Sequence, residues 1–368
     1  MKDRFQIRRD KLRSILKKDG VNAMIVTNFI NVAYLTGFTG DDSYLLVTQD
    51  GDTLISDFRY SEQIEKECSE LAAYIRPAEE SSPKAALKLL NAVTPKRLGV
   101  ESASMTLALR DLFAAAMDGW EFVGMQSPVE RLRMIKDKSE IDLMRKAGVI
   151  AARAFECVKA GLRAEQTEIE LKNQLEHVMK QFGAENASFS SIIAVGPWAS
   201  LCHATPGDRR VQQGELLLID WGATYKGYMS DNTRTLITTP KPSQKLRKLY
   251  EIVLQAHRES AAAIAPGKRC RDVDAIARSI ITDAGYGKFF GHGLGHGLGL
   301  EIHENPRFNT VAETILEPGM VLTVEPGIYL PNWGGIRIED DYLVTKTGAE
   351  NLTPRLPIDF DAMVTDVD

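Results

Sequence analysis

The chain has 368 residues, of which 44% are hydrophobic and 26% are charged, and its formal net charge is -5. This length predicts about two domains, because one domain usually holds roughly 100 to 200 residues. The composition is that of a folded globular protein, and the negative charge argues against a broad surface for nucleic acid or an anionic membrane. Small neutral or zwitterionic partners are therefore expected.

The first residues of the chain and its cysteines predict the cellular compartment of the protein. No apolar core follows the charged start, and no apolar run approaches the ~20 residues that span a bilayer. The cysteines are widely spaced and form no Cys-x-x-Cys pair, which favours reduced, packed thiols: Cys68, Cys157, Cys202 and Cys270. We therefore expect a cytoplasmic protein.

Residues 1–126 alternate between helical and strand-like patterns, which predicts an α/β domain. An amphipathic helix ends at Gly20, and an Asp-Gly dipeptide predicts a hairpin between strands 44–48 and 53–56. Further helices are predicted at 58–69, 83–91 and 106–118, and strands at 21–27, 98–100 and 121–123.

The pattern breaks at 127–138, which we interpret as a linker before a second domain at 139–356. Ser139-Glu-Ile-Asp142 has the form of a capping box that opens a helix of about 20 residues. The last residues, 357–368, are predicted to be a solvated acidic tail. Further helices are predicted at 167–182, 243–263 and 272–284, and strands at 190–195 and 215–221, before a final antiparallel sheet.

Two aspartates occur where strands are predicted. An apolar run ends in Asp220, and after a turn at Lys226-Gly227 a second strand places Asp231 on one face with Thr233. A hairpin would bring the two carboxylates together, which is unfavourable unless they share a proton or hold a cation. Turn formation before Gly222 is the alternative explanation for the first acid alone.

Three of the six histidines lie in one glycine-rich segment, as His292, His296 and His303. The glycines argue against a helix and favour close approach of the backbone to a ligand. Strand periodicity then predicts that His292 and His296 point the same way. The segment contains no G-x-G-x-x-G, Walker or H-E-x-x-H motif.

Two glutamates complete the pattern. Glu325 ends another apolar strand before a proline, and alternation after Gly335 sends Arg337 and Glu339 to the side opposite Ile336. An exposed hairpin face would explain the second stretch equally well.

Together these positions predict a paired-metal site, because buried carboxylates need cationic neutralisation: Asp220, Asp231, His296, Glu325 and Glu339. Oxygen-rich ligation with one imidazole suits Mn²⁺, Co²⁺ or Zn²⁺. Two such ions roughly 3.5 to 4 Å apart can hold a bridging hydroxide and polarise a carbonyl. The reaction that such a site predicts is hydrolysis of an amide or an ester.

These motifs, with Asn31–Gly40 in the N-terminal half, resemble the pita-bread metallopeptidases in order and spacing. The resemblance is greatest to Xaa-Pro aminopeptidase (aminopeptidase P) and Xaa-Pro dipeptidase (prolidase). It implies an α/β N-terminal domain followed by an α+β pita-bread catalytic domain of the creatinase/aminopeptidase type.

The resemblance also implies a role for each candidate metal ligand. Asp220 would bind one ion, Asp231 and Glu339 would bridge both, and His296 would bind the other. Glu325 would complete the second site and move a proton from the attacking water to the leaving nitrogen.

The remaining roles that the resemblance implies concern substrate. His203 would contact substrate near the scissile bond, while His292 and His303 would line the pocket and stabilise the tetrahedral intermediate. Arg307 stands where prolidase-like sequences carry an arginine able to bind a dipeptide's free carboxylate. Arg337 matches an arginine beside the metal site and is a further candidate for substrate binding.

The function expected from the resemblance is removal of the residue that precedes proline at a peptide N-terminus. The predicted cofactors are two divalent ions per subunit, with Mn²⁺ first and Co²⁺ or Zn²⁺ as alternatives, and a homodimer is expected. A dipeptidase is the alternative. A peptide-binding member without turnover and a hydrolase acting on organophosphate esters are further alternatives.

Overall fold

The computed structural model describes residues 3–91, 93–353 and 355–367. Contacts between Cα atoms divide the chain into two compact units, Met1–Arg133 and Met134–Asp368. The division falls inside the segment 127–138 that we interpreted as a linker, and Pro128–Arg133 within that segment forms a short helix.

The first unit is a six-stranded mixed sheet flanked by helices, in the strand order β4-β3-β2-β1-β5-β6. Its strands are β1 Ala23–Val26, β2 Tyr44–Thr48, β3 Asp52–Asp57, β4 Ala72–Arg76, β5 Arg97–Glu101 and β6 Glu121–Met125. Its helices are α1 Arg4–Lys18, α2 Phe29–Thr36, α3 Ser61–Cys68, α4 Ser82–Leu90, α5 Leu107–Ala116 and α6 Pro128–Arg133. The predicted hairpin is present as the antiparallel pair β2 and β3, with Tyr44 opposite Ile55.

The second unit combines long helices with short antiparallel strands. Its helices are α7 Lys138–Ala160, α8 Glu168–Gln181, α9 Gln244–Ala263, α10 Cys270–Asp283 and α11 Phe360–Met363. Its strands are β7 Asn186–Ala187, β8 Ile192–Val195, β9 Leu216–Trp221, β10 Ala223–Tyr225, β11 Tyr228–Met229, β12 Asn232–Ile237, β13 Gly295–Gly297, β14 Glu304–Phe308, β15 Val321–Val324, β16 Gly327–Leu330, β17 Gly334–Arg337, β18 Asp340–Val344 and β19 Ala349–Asn351.

Two sheets of this unit position the candidate residues. One has the order β12-β9-β8 and the other the order β14-β13-β15-β18-β19. Both strands of the β9–β12 pair are buried along their whole length, which explains their continuous apolar and small polar sequences. Trp221 anchors this sheet, since its ring stacks on Phe155 at 4.6 Å and its Nε1 donates to the Ala151 carbonyl at 3.0 Å.

The cap of α7 differs from the prediction. Its N-cap is Asp137, whose carboxylate accepts from the Glu140 N–H at 3.0 Å, while the Glu140 carboxylate accepts from the Asp137 N–H at 2.8 Å. The predicted box at Ser139 and Asp142 was wrong because Ser139 already lies in the first turn of the helix.

The C-terminal segment is not a solvated tail. Asp361 is exposed, but Phe360, Met363 and Val367 lie in the main core of the second unit. The prediction was wrong because the segment buries these apolar side chains while its acids Asp359, Asp361 and Asp366 stay exposed.

Two further observations concern the cysteines and the membrane. All four cysteines are free thiols, and Cys157 is exposed rather than packed in the interior. Among the described residues, no helix combines the length and apolar character that crossing a bilayer requires.

Candidate functional site

A cavity of about 710 Å³ in the second unit brings all the predicted site residues together. The candidate metal ligands that line it are Asp220, Asp231, His296, Glu325 and Glu339, and the candidate substrate residues are His203, His292, His303, Arg307 and Arg337. These residues span positions 203–339, so the fold brings together segments that are far apart in sequence.

Antiparallel strand pairing places three of the acids, Asp220, Asp231 and Glu339, next to one another. Thr233 in β12 lies opposite Asp220 in β9, which places the strand that follows Asp231 beside the first acid. A backbone bridge then joins Thr233 to Glu339, with the Glu339 N–H donating to the Thr233 carbonyl at 3.1 Å. The Glu339 carboxylate accepts from the Thr233 hydroxyl at 2.6 Å.

The fourth acid and the histidine come from the second sheet. Glu325 follows β15, and its backbone N–H donates to the Leu294 carbonyl just before β13. The Nε2 atom of His296 lies 3.5 Å from Glu325 Oε1 and 3.6 Å from Asp231 Oδ2. Asp231, His296 and Glu339 each offer a ligand atom, and these atoms lie within 4.8 Å of one another.

The ring nitrogens of His296 have different partners. Its Nδ1 lies 3.1 Å from the Gly297 carbonyl, which assigns the proton to Nδ1 because a carbonyl can only accept. Burial lowers the pKa of this histidine to about 3, so the ring is neutral. The Nε2 lone pair therefore faces the carboxylates, as a metal-binding imidazole requires.

Burial also raises the pKa of every candidate acid. The pKa of Asp220 is raised, and that of Glu325 rises to about 8. Burial and then repulsion from Glu339 raise the pKa of Asp231 well above its usual range, and burial followed by repulsion from Glu325 does the same for Glu339. Burial and mutual repulsion thus both disfavour the ionised forms of these acids when no cation is bound.

Divalent cations fit this donor set. The Oδ1 atoms of Asp220 and Asp231 are buried and have no hydrogen-bond partner among the described residues. A buried carboxylate oxygen without a partner costs free energy, and a bound cation would remove that cost. Oxygen donors with one neutral imidazole suit hard or borderline dications.

Arg337 is the buried cation beside these acids. Its guanidinium donates to Asp220 Oδ2 at 2.6 Å, to the Thr233 hydroxyl at 3.0 Å and to the Tyr329 hydroxyl at 2.9 Å. It therefore holds Asp220 and, through Thr233, the Glu339 carboxylate.

Sequence reasoning missed Tyr329. Its hydroxyl accepts from Arg337 and lies 2.9 Å from His292 Nε2. The Nδ1 atom of His292 lies 2.8 Å from the Gly293 carbonyl, which can only accept, so the proton is on Nδ1 and the Tyr329 hydroxyl donates to Nε2 of the neutral ring. Burial lowers the pKa of His292 to about 4. Tyr329 lies in the buried strand β16, where an aromatic residue is ordinary, so the sequence does not indicate its contact with His292.

The predicted orientation of His292 needs a correction. Strand β13 covers only Gly295–Gly297, so strand periodicity does not relate His292 to His296. A loop carries the His292 ring into the cavity, where its Nδ1 lies 4.0 Å from Glu325 Oε2.

A buried ion pair supports the loop that carries His303. The Glu304 carboxylate lies 3.0 Å from Lys136 Nζ and accepts from the N–H groups of Leu300 and Glu301. The ring of His303 meets the His296 ring edge-to-face at 4.5 Å. The loop is thus held in place beside the candidate metal ligands.

The outer part of the cavity is basic. His203 and Arg307 are exposed, and Arg307 in β14 lies opposite His296 in β13. Among the described residues, Arg307 has no hydrogen-bond or ion-pair partner. Its guanidinium is therefore available to an anionic group that enters the cavity.

Comparisons with known proteins agree with this geometry. A profile of metallopeptidase family M24 matches residues 142–346, and one of the creatinase/prolidase N-terminal domain matches residues 8–135. An Xaa-Pro dipeptidase of Pyrococcus horikoshii is 36% identical over 353 residues, which cover 95% of this chain and 98% of that protein.

Solved structures give the same result. An Xaa-Pro dipeptidase from Bacillus anthracis is 37% identical with a TM-score of 0.94, covering 98% of this chain and 100% of its own. An X-Pro aminopeptidase from Thermotoga maritima is 33% identical with a TM-score of 0.89 and the same coverage. The expected fold, an α/β domain followed by a pita-bread catalytic domain, is confirmed. The chain belongs to metallopeptidase family M24 and carries a creatinase/prolidase N-terminal domain.

Proposed function

We propose that this chain is a metal-dependent exopeptidase that hydrolyses the bond preceding proline at the N-terminus of short peptides. The observation that carries the proposal is the convergence of three buried carboxylates, the partly buried carboxylate of Glu325 and one neutral imidazole on one cavity. The relatives named as Xaa-Pro dipeptidase and X-Pro aminopeptidase supply the substrate class.

The candidate ligands would divide two divalent ions between them, in the roles that the resemblance implies. Asp220 would bind one ion, His296 and Glu325 the other, and Asp231 and Glu339 both. When bound, such ions supply Lewis acidity toward a carbonyl and lower the pKa of water.

The residues around the ligands would move protons and bind substrate. Glu325 is suited to accept a proton from the attacking water and pass it to the leaving nitrogen, because its carboxylate lines the cavity 3.5 Å from His296 Nε2, beside the other candidate ligands. His292, whose Nδ1 donates to the Gly293 carbonyl, and the exposed imidazoles of His203 and His303 would contact the substrate carbonyl and the scissile bond.

Substrate length separates two candidates. The cavity lies within the volume range that holds drug-sized ligands, which is consistent with the tripeptide substrate of an aminopeptidase as well as with a dipeptide. The available guanidinium of Arg307 favours the dipeptidase, because it suits the free carboxylate of Xaa-Pro.

The test compares Xaa-Pro dipeptides with Xaa-Pro-Yaa tripeptides on Mn²⁺-loaded protein, with Xaa-Ala peptides as the control. An aminopeptidase cleaves the tripeptide with the higher kcat/KM, and a dipeptidase cleaves the dipeptide with the higher kcat/KM. Failure to cleave either proline peptide, or equal cleavage of the alanine controls, contradicts the proposal.

The finer assignments are also proposals. Mn²⁺ as the preferred ion, assembly as a homodimer and a cytoplasmic location rest on the sequence and on the resemblance. A member of the fold that binds peptides without turnover would contain no stoichiometric metal, and Asp220→Ala would leave its peptide binding intact.

A further inference from the structure

Arg234 is fully buried on the face of β12 opposite the cavity. A buried guanidinium is expensive unless its five N–H donors and its charge are all matched. The surroundings of Arg234 satisfy both conditions, and two of the five acceptors are backbone carbonyls of the candidate metal site.

Two of the hydrogen bonds reach the bridge that positions Glu339. One terminal nitrogen of Arg234 donates to the Thr233 carbonyl at 2.8 Å and to the Glu339 carbonyl at 2.7 Å. The same two carbonyls also take part in the backbone bridge. The Glu339 N–H donates to the Thr233 carbonyl at 3.1 Å, and the Thr233 N–H donates to the Glu339 carbonyl at 3.4 Å. The guanidinium therefore binds both sides of the Thr233–Glu339 bridge, which holds the backbone that carries the Glu339 carboxylate next to the strand that follows Asp231.

The remaining bonds fasten this bridge to its surroundings. The other terminal nitrogen of Arg234 donates to Asp340 Oδ1 at 2.7 Å, which balances its charge, and to the Leu356 carbonyl at 3.2 Å. The Nε–H donates to the Pro357 carbonyl at 2.8 Å. Residues 356 and 357 lead into α11, whose Phe360 side chain is buried.

We propose that Arg234 is a positioning residue for the metal ligands Asp231 and Glu339. It presets their spacing by joining β12, the residue 339–340 junction and the C-terminal segment through one rigid, planar group. This inference rests on the proposed function, because it takes Asp231 and Glu339 to be metal ligands. Lysine cannot replace the arginine, since its ammonium has three donors and lacks the planar fork.

The experiment is a titration of chelator-stripped protein with Co²⁺, followed by calorimetry and by the visible absorption spectrum of the bound ion. Arg234→Lys keeps the charge beside Asp340 but loses the fixed donor geometry. We expect it to weaken Co²⁺ affinity about 10- to 100-fold, the range typical of groups that orient metal ligands, and to change the ligand-field bands. Arg258→Lys is the matched control, because exposed Arg258 binds Asp359 of the same C-terminal segment at 2.6 Å and lies outside the site.

A folded Arg234→Lys protein with wild-type Co²⁺ affinity and spectrum overturns the inference while the proposed function stands. Wild-type protein that binds no Co²⁺ overturns both.

Hydrogen exchange of the wild-type protein tests the same point without a variant, in case Arg234→Lys does not fold. If Arg234 presets the bridge, the amides of Thr233 and Glu339 exchange slowly in stripped protein and Co²⁺ changes them little. Fast exchange that becomes slow only when Co²⁺ binds overturns the inference, because the ion would then organise the bridge.

Discussion

Replacing Glu325 by glutamine should change how the stability of metal-free protein depends on pH. Burial raises the pKa of Glu325 from 4.5 to about 8, so the folded protein holds this proton more tightly than the unfolded chain does. The contribution of Glu325 to stability is therefore complete below pH 4.5 and is lost as the pH rises through 8. Glutamine has the same shape and no proton to lose.

The size of the effect follows from the shift. Each pH unit between the two pKa values costs about 1.4 kcal/mol, so Glu325 alone should cost roughly 3 to 4 kcal/mol between pH 5 and pH 8. Burial and then repulsion from Glu325 raise the pKa of Glu339, so the substitution relieves that carboxyl in the same direction.

The assay is urea unfolding of chelator-stripped protein at several pH values. Wild-type stability should fall more steeply with pH than that of Glu325→Gln, by roughly 3 to 4 kcal/mol over this range. The exposed glutamate Glu317, replaced by glutamine, is the control and should follow the wild type. Parallel curves for wild type and Glu325→Gln would refute the reasoning, because Glu325 would then be ionised in the folded, metal-free protein.

Two further predictions concern substrate binding and stability. Arg307→Ala should raise KM for Xaa-Pro dipeptides roughly 10- to 100-fold, the loss of one charge-assisted interaction, and should leave Xaa-Pro amides unchanged; equal effects on both substrates would exclude carboxylate binding. Trp221→Ala should lower the free energy of unfolding, measured with urea, by about 3 to 5 kcal/mol, because Trp221 is fully buried against Phe155. Trp198 is half-exposed, so Trp198→Ala should lower it by less than about 1 kcal/mol. Similar losses for both tryptophan variants would contradict the account of this core.

The acids of the site could be found from the sequence because each one interrupts a pattern. Asp220 and Glu325 end apolar runs, and a charge at the end of a buried strand costs free energy unless something compensates it. Periodicity also placed Arg337 and Glu339 opposite Ile336, which the structure buries in the core.

The supporting residues could not be found in this way. Tyr329, Arg234 and Asp341 act through hydrogen bonds to residues distant in sequence, such as the bond from the Asp231 N–H to Asp341 Oδ2 at 3.0 Å. Nothing in a local pattern distinguishes such residues from ordinary strand positions. The register of β9 against β12 and the bridge to Glu339 determine the partners of Arg234.

The errors in the fold have local causes. Two overlapping sequences, starting at Asp137 and at Ser139, both have capping-box form, and tertiary structure selects the earlier one. In the C-terminal segment the acids predict solvation, but the three-residue spacing of Phe360 and Met363 places both side chains on one buried face of a helix.

Anomalous diffraction from crystals of the Mn²⁺-loaded protein tests the central claim most directly. The account predicts two peaks in the cavity, within coordination distance of the five candidate ligands: Asp220, Asp231, His296, Glu325 and Glu339. A map without peaks between these side chains, from a protein that still cleaves Xaa-Pro peptides, would contradict it.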